Sequence, residues 1–246
     1  MKKASKIISY FNKTIYFKFL SIIMLIASFL VITGVKKDLP FSTSLNYAFV
    51  NTYFLLLFFL LFVSNILYLS KFLFNNNNFI KRLSDYDTYI SECKYITLII
   101  NAYCFLILTV ISIILVAIRT KSLIFTNTYC YGMSDMLYFS FYLLRLFIIF
   151  YFVSIVVFYI YNSKFKKISF IYIGFILLDL LAFSFNYSFR FLVGNVNFNF
   201  VYYLSYPNYP NFLSEVYVSA GIISVYYVFE KIIGIFFKNM FRGYNA

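Results

Sequence analysis

Residues 49–69 read FVNTYFLLLFFLLFVSNILYL, a stretch without a single charged side chain. A helix needs about 20 mostly apolar residues to cross the hydrocarbon core of a bilayer, so this stretch predicts a membrane-spanning helix. Segments of similar character cover residues 17–35, 95–118, 136–161, 168–186 and 216–237. We therefore predict an all-α membrane protein in which residues 1–246 form one domain with six transmembrane helices.

The composition of the chain supports this prediction and excludes several classes of protein. Of its 246 residues, 63% are hydrophobic and 12% are charged, whereas soluble domains average about 45–50% apolar and about 25% charged residues. Histidine is absent, the 3 cysteines include no CxxC pair, and no GxxxxGK[ST] motif occurs. We therefore expect no histidine-based catalytic or metal site, no cofactor bound by this chain and no enzymatic activity of its own.

The basic residues predict how the helices are oriented. The net charge is +13, from 21 Lys and Arg against 8 Asp and Glu. In a soluble protein this excess would suggest nucleic acid, but in a lipid bilayer Lys and Arg collect in cytoplasmic loops, so we expect no nucleic-acid partner. Most of the basic residues precede the first span, follow the last span or lie in the connections after the second and fourth spans. Both termini are therefore predicted to be cytoplasmic.

The first part of the chain, residues 1–16, has a helical pattern of its own. One face of the predicted helix is apolar and the other is basic, with Ile7, Ile8, Phe11 and Ile15 opposite Lys2, Lys3, Lys6 and Lys13. This pattern is typical of an amphipathic helix that lies in the membrane interface near anionic head groups. A plain basic anchor without a function of its own is the alternative.

The connection between the second and third spans, residues 70–94, contains an asparagine run (75–78) followed by FIKRLSDYDTYISECK. Its apolar residues recur at helical spacing, at Phe79, Leu83, Tyr86 and Ile90. Ser84 followed by Asp87 resembles a capping box, so we predict a short interfacial helix, a break near Ser84 and then the third span. Mixed charge beside an apolar face indicates docking to another protein, and a solvated turn is the alternative.

This plan of a basic amphipathic leader, six spans and a short helix after the second span resembles the permease subunit of a type-2 ABC exporter. The stretch FIKRLSD at 79–85 is similar to that family's basic and apolar element before the third span, although Tyr86 and Asp87 stand where a second basic residue usually follows. The chain resembles in particular small permeases of low-GC Gram-positive bacteria, which are linked to bacteriocin or antimicrobial-peptide export and immunity.

The resemblance implies a location, partners and a docking site. The chain would be a multi-pass protein of the bacterial cell membrane, as a homodimer or as a heterodimer with a second permease. Separate ABC ATPase subunits would bind ATP and Mg²⁺ and would dock on residues 79–90. The residues implied in this ATPase coupling are Phe79, Lys81, Arg82, Leu83, Tyr86 and Ile90.

Two charged residues fall near the middle of predicted spans. Arg145 and Asp179 lie at similar depths, and a charge at the bilayer centre is costly, so we predict that the two residues form a pair. Whether this pair is a structural ion pair or a substrate contact or gate stays open. Glu230, beside Lys231, lies nearer the end of the last span and is predicted to reach the interface.

The connection before the last span, residues 187–215, is too apolar for a solvated loop and too interrupted for a span. In the resembled family this connection forms short re-entrant helices at the external mouth. Tyr202, Tyr203 and Tyr206 are predicted to form an external gate there. An aromatic belt at head-group depth, without a role in substrate binding, is the alternative.

The predicted function is that of a permease that moves an amphipathic or hydrophobic substrate out of the membrane or cell. A peptide or bacteriocin-like toxin is the main expectation for this substrate, and a lipid-like molecule is another. The alternative function is that of a non-transporting immunity or sensor protein that binds a toxin or a partner. A partner ATPase encoded beside the chain would favour the permease.

Overall fold

The computed structural model describes residues 2–33, 39–81, 83, 85–125, 135–183, 192–193, 196–197 and 212–238. Its helices are α1 Lys2–Asn12, α2 Ile15–Thr33, α3 Phe41–Val50, α4 Thr52–Leu69, α5 Asn77–Ile80, α6 Tyr86–Thr120, α7 Asp135–Tyr161, α8 Lys166–Phe183 and α9 Phe212–Lys238. A π-helical turn, Ser70–Phe74, extends α4, and two short strands, β1 Leu192–Val193 and β2 Val196–Asn197, follow α8.

Within these ranges, 4 helical segments are long and apolar enough to cross a membrane: Thr52–Phe74, Tyr86–Thr120, Asp135–Tyr161 and Val216–Lys238. Helices α1 and α2 together form a fifth candidate, which bends by 80° between its two parts. The fold is therefore that of an all-α, multi-pass membrane protein. The predicted span 168–186 coincides with α8, which contains Lys166, Lys167 and Asp179 and is not among these candidates.

The amphipathic leader forms α1, but this helix ends at Asn12 and does not continue through residue 16. The Thr14 hydroxyl donates to the carbonyl of Phe11 (2.7 Å) and accepts from the N–H of Phe17 (3.2 Å), so it caps the start of α2. The apolar face that was predicted for a single helix is therefore split between α1 and α2. Phe11 is buried, whereas Ile15 belongs to α2 and is exposed.

Helix α3 is absent from the sequence prediction, because serine, threonine and asparagine interrupt its apolar residues. The helix packs against α4, α6 and α7, and Ser42, Ser44 and Asn46 are buried in it. Asn51 ends α3 and begins α4, where its side chain accepts from the N–H of Tyr53 (2.9 Å). Of these two helices, only α4 has the length of a span.

Helix α4 lies at the centre of the bundle and contacts α2, α3, α6, α7 and α8. The ring of Phe58 lies 5.0 Å from that of Phe105 in α6, and the ring of Phe62 lies 5.6 Å from that of Phe147 in α7. Such aromatic pairs contribute about 0.5–1.5 kcal/mol beyond their buried area. Helix α9 differs, because only 11% of its most apolar 18-residue window is buried inside the bundle, against 67% for α7.

Both described ends of the chain lie at the same end of the bundle. Lys3 of α1 and Lys238 of α9 form ion pairs with Glu92 and Asp87, which lie in the first turns of α6. We call this the basal end. At the opposite end, Arg119 in the last turn of α6 donates to the carbonyl of the last residue of α2 (2.7 Å).

The connection 187–215 is described in part, where β1 and β2 pair as antiparallel strands. These four residues are extended, and the re-entrant helices implied by the resemblance stay a prediction, because most of the connection lies outside the described residues. Tyr202, Tyr203 and Tyr206 lie outside the described residues, and the external gate stays a prediction.

Candidate functional site

Ion pairs at the basal end connect the start of α6 with α1 and α9. Among the described residues they are Lys3–Glu92 (2.7 Å), Lys94–Glu230 and Lys238–Asp87 (3.3 Å). We call these residues, together with Tyr159, the basal cluster. Because Lys3, Lys238 and Asp87 are more than half exposed and Glu92 is partly exposed, each of these two pairs contributes at most about 1 kcal/mol.

The Lys94–Glu230 pair is the more deeply buried part of the basal cluster, with 24% and 9% of the two side chains exposed. The hydroxyl of Tyr159 donates to the Glu230 carboxylate (3.2 Å), and the Lys94 ammonium lies 5.5 Å from the centre of the Tyr159 ring. The Glu230 carboxylate therefore faces α6 and α7, and its position at the interface beside Lys231 stays a prediction. By facing α6 and α7, the carboxylate gains two partners that lipid does not provide.

The acidic residues that indicated docking to another protein are engaged within the chain. Asp85 caps α6, because its carboxylate accepts from the N–H of Thr88 (2.7 Å) and from the Thr88 hydroxyl (2.9 Å). The capping residue is thus one position later than the predicted Ser84, which lies outside the described residues. Aspartate is as good an N-cap as serine, and Thr88 adds a second hydrogen bond. Asp87 pairs with Lys238.

A short helix, α5, precedes α6 and is separated from it by a break, but it begins inside the asparagine run, at Asn77, and ends at Ile80. The apolar residues of the predicted coupling site pack against the core of this chain: Phe79, Leu83 and Tyr86 are half-buried, and Ile90 is buried. The ring of Phe79 lies 5.9 Å from that of Phe74, at the end of the π-helical turn, and 6.1 Å from that of Tyr89. Tyr89 also donates to the carbonyl of Phe74 (3.1 Å), which fixes the loop against α6.

The surface that the loop leaves for a partner is therefore mainly polar. Lys81 is exposed, as are Asp85, Asp87 and Thr88. Arg82 lies outside the described residues. The role of this loop in ATPase coupling stays a prediction, and its apolar residues have contacts of their own within the bundle.

A chain of buried hydrogen bonds, absent from the sequence prediction, connects α2, α4, α6 and α7. Tyr16 donates to the Asn65 side-chain oxygen (2.9 Å), and the Asn65 amide donates to the Asn101 oxygen (3.0 Å). The Asn101 amide donates to Ser154 (3.3 Å). Hydrogen bonds between membrane helices contribute about 0.6–2 kcal/mol each. The sequence signal for these hydrogen bonds is an asparagine within each of two predicted spans, Asn65 in 49–69 and Asn101 in 95–118, since polar groups inside spans require partners.

A cleft of about 180 Å³ lies between α7 and α9. Apolar side chains of both helices line most of it, among them Ile148, Ile222 and Ile223. Arg145 and Ser219 also border it, but their polar atoms contribute almost nothing to its surface. The cleft is therefore an apolar groove.

Arg145 and Asp179, the residues of the predicted intramembrane pair, are both buried, with 3% and 1% of their surface exposed. Neither side chain lacks an interaction partner. Arg145 lies at the cleft between α7 and α9, and the pair with Asp179 stays a prediction.

Within the described ranges, no group of at least 3 Asp, Glu or Cys side chains is arranged to hold a metal ion. Comparison of the chain with protein-family models, with curated proteins and with solved structures found no match. The candidate sites therefore rest on the geometry of this chain alone, namely on the basal cluster, the loop beside it and the cleft.

Proposed function

We propose that this chain is the permease subunit of an ATP-driven exporter of the type-2 ABC class. Its substrate is an amphipathic or hydrophobic peptide, such as a bacteriocin-like toxin, which leaves the membrane or cell. The basal end is cytoplasmic, the membrane is that of a bacterial cell, and α2, α4, α6, α7, α8 and α9 are the six spans. Separate ATPase subunits bind ATP and Mg²⁺, and a second permease chain, identical or related, completes the transporter.

The charge distribution supports this orientation. Exposed lysines collect at the basal end, at Lys3, Lys6, Lys71, Lys81, Lys164, Lys166, Lys167 and Lys238. Lys and Arg are enriched on the cytoplasmic side of membrane proteins. The 80° bend between α1 and α2 supports an interfacial position for α1, because a helix turned that far from a spanning helix runs near the membrane plane.

The observation that carries the proposal is the way in which the loop before α6 is connected to the rest of the bundle. The first turns of α6 are tied to α1 through Lys3–Glu92 and to α9 through Lys94–Glu230. A partner that displaces this loop therefore also moves the basal ends of two other helices. An ATPase docked on the loop needs such a connection in order to change the conformation of the membrane-spanning helices.

Reconstitution in liposomes with an ATPase encoded beside this chain tests the proposal. Lys81 is exposed in the loop, so Lys81→Glu alters the docking surface without disturbing the core. We expect this change to weaken ATPase binding and ATP-dependent peptide transport about tenfold, because like charges at an interface repel.

The matched control is Lys71→Glu, which makes the same charge change at the basal end but outside residues 79–90. Binding of the ATPase should stay within about twofold of the unmodified chain in this control. If Lys81→Glu binds and transports as well as Lys71→Glu, the loop is not the docking site.

A non-transporting immunity or sensor protein is the competing function. Cells that express this chain without any ATPase would then be protected from the toxin. Protection that persists after the ATPase is inactivated would contradict export and would support the competing function.

A further inference from the structure

We infer that the turn between α7 and α8 binds the phosphate of an acidic phospholipid. Lys166 and Lys167 contact this phosphate, and the acyl chains of the lipid lie along an exposed apolar face of α8. The inference goes beyond the proposed function, because it requires neither an ATPase nor an exported substrate. It rests on the charge of the turn, on its fixed conformation and on the side chains that follow it along α8.

The turn carries positive charge that the rest of the chain does not neutralise. Lys164, Lys166 and Lys167 lie close together in the sequence, and residues 136–178 contain no Asp or Glu. Lys164 already has an interaction partner, whereas Lys166 and Lys167 are exposed and form no ion pair with a carboxylate of the described residues. The lysines of the basal cluster, by contrast, are all paired. Uncompensated lysines at the end of a membrane helix attract anionic head groups.

Hydrogen bonds of two buried residues hold the turn in one conformation. The Asn162 amide donates to the Ser70 hydroxyl in the π-helical turn (3.0 Å) and to the carbonyl of Phe158 (2.8 Å). The hydroxyl of Ser163, also buried, accepts from the N–H of Phe165 (3.0 Å). The backbone that carries the two lysines is therefore fixed before any ligand arrives. A site that is already ordered loses less entropy on binding than a flexible one.

An aromatic pair positions the side chain of Lys166. Its ammonium lies 4.4 Å from the centre of the Tyr161 ring, and that ring lies 6.2 Å from the ring of Phe170 in α8. The face of an aromatic ring attracts a cation at this distance, and tyrosine is enriched at the level of the lipid head groups. The Lys166 ammonium is therefore held at the depth where the phosphates of a bilayer lie.

The side chains that follow the two lysines favour a lipid over a soluble anion. Four exposed apolar residues recur at helical spacing along one face of α8, at Ile168, Ile171, Phe175 and Leu178. This face extends for about 15 Å, which is about half the thickness of the hydrocarbon core of a bilayer. Acyl chains beside it would cover the apolar face while their phosphate contacts the lysines. A free phosphate or an acidic protein surface would leave the face uncovered.

Native mass spectrometry of the purified full chain, in non-ionic detergent and without an ATPase, tests the inference. Phosphatidylglycerol or phosphatidylcholine is titrated in, and the dissociation constant of the first bound lipid is measured. We expect phosphatidylglycerol to bind about tenfold more tightly, because the choline group of the other lipid neutralises its phosphate. The double variant Lys166→Gln/Lys167→Gln should remove this preference. Both lysines are exposed, so the substitutions do not disturb the core.

A single pair of variants separates this site from the general positive charge of the basal end. Lys231 is also exposed, and its ammonium lies 5.4 Å from the centre of the Tyr227 ring. Unlike Lys166, it directly follows an acidic residue and has no second lysine beside it. We expect Lys166→Gln to weaken phosphatidylglycerol binding about fivefold, and the matched control Lys231→Gln to stay within about twofold of the unmodified chain.

Equal binding of the two lipids, or equal effects of Lys166→Gln and Lys231→Gln, would overturn the inference. Complete displacement of phosphatidylglycerol by inorganic phosphate would also overturn it, since the turn would then be a site for the free anion. If the double variant lost ATPase binding but kept its preference for phosphatidylglycerol, an acidic protein surface would replace the lipid as occupant. Because the lipid titration contains no ATPase, its result does not depend on whether an ATPase docks on residues 79–90.

Discussion

The helices of this protein are held in two different ways. Helices α2, α4, α6 and α7 are joined by buried hydrogen bonds, which run from Tyr16 through Asn65 and Asn101 to Ser154. Helix α9 is attached by ion pairs with α6 at its basal end and by contacts with α7, and only 11% of its most apolar 18-residue window is buried. This difference makes α9 the helix whose position a partner at the basal end is best able to change.

The largest effect is expected where the attachment of α9 is most buried. Lys94→Met leaves the Glu230 carboxylate buried without its ammonium partner, and we expect a loss of about 3 kcal/mol in the free energy of unfolding. The double variant Lys94→Met/Glu230→Leu should lose less, because no charge is stranded. Thermal unfolding followed with a thiol-reactive dye measures both, since Cys93 and Cys104 are free and buried. Equal losses in the single and double variants would contradict a buried ion pair.

The next effect concerns the hydrogen-bonded core. Asn101→Leu removes the link between Asn65 and Ser154 and leaves the Asn65 amide without an acceptor, so we expect a loss of about 2 kcal/mol. The control Asn77→Leu, in the exposed loop helix α5, should change the free energy of unfolding by less than about 0.5 kcal/mol. Hydrogen exchange in α4 should rise in Asn101→Leu while exchange in α9 changes little. If exchange instead rose in α9 and stayed unchanged in α4, the buried hydrogen bonds of Asn101 would not be what holds the core helices together.

Two glycines of α9 test its attached and its exposed face on the same helix. Gly234→Ala places a methyl group 3.0 Å from the Tyr159 hydroxyl oxygen, whereas Gly221→Ala meets no atom within 4 Å. Alanine favours helix by up to about 1 kcal/mol at both positions, but the clash should make Gly234→Ala at least about 1 kcal/mol less stable than Gly221→Ala. Equal melting temperatures of the two variants would mean that Gly234 does not pack against Tyr159.

The smallest effect is expected at the exposed pair of Lys238 and Asp87. Their side chains are 51% and 80% exposed, so water and salt screen the attraction. Lys238→Met should cost less than about 0.5 kcal/mol in the free energy of unfolding, and the difference should vanish in high salt. A larger loss in the free energy of unfolding that does not depend on salt would show that this pair is buried, as the Lys94–Glu230 pair is.

Much of the helical layout was predictable from the sequence. Each predicted span coincides with a helix, because a long apolar run needs no knowledge of its neighbours to be recognised. The start of α6 at Tyr86 lies close to the break predicted near Ser84, but that prediction came from a capping pattern and not from apolar residues. Helix α3 was not predicted, because polar residues interrupt it and become helical only where they are buried against other helices.

The sequence by itself determined the membrane class and the uneven distribution of basic residues, because hydrophobicity and charge add up along a segment. Only the tertiary structure decided which polar groups meet. Glu230 lies beside Lys94 across 136 positions of sequence, and Asn65 lies beside Asn101 across 36. A hydrogen bond or ion pair depends on distances of a few ångströms, and the packing of helices that are far apart in the chain sets those distances.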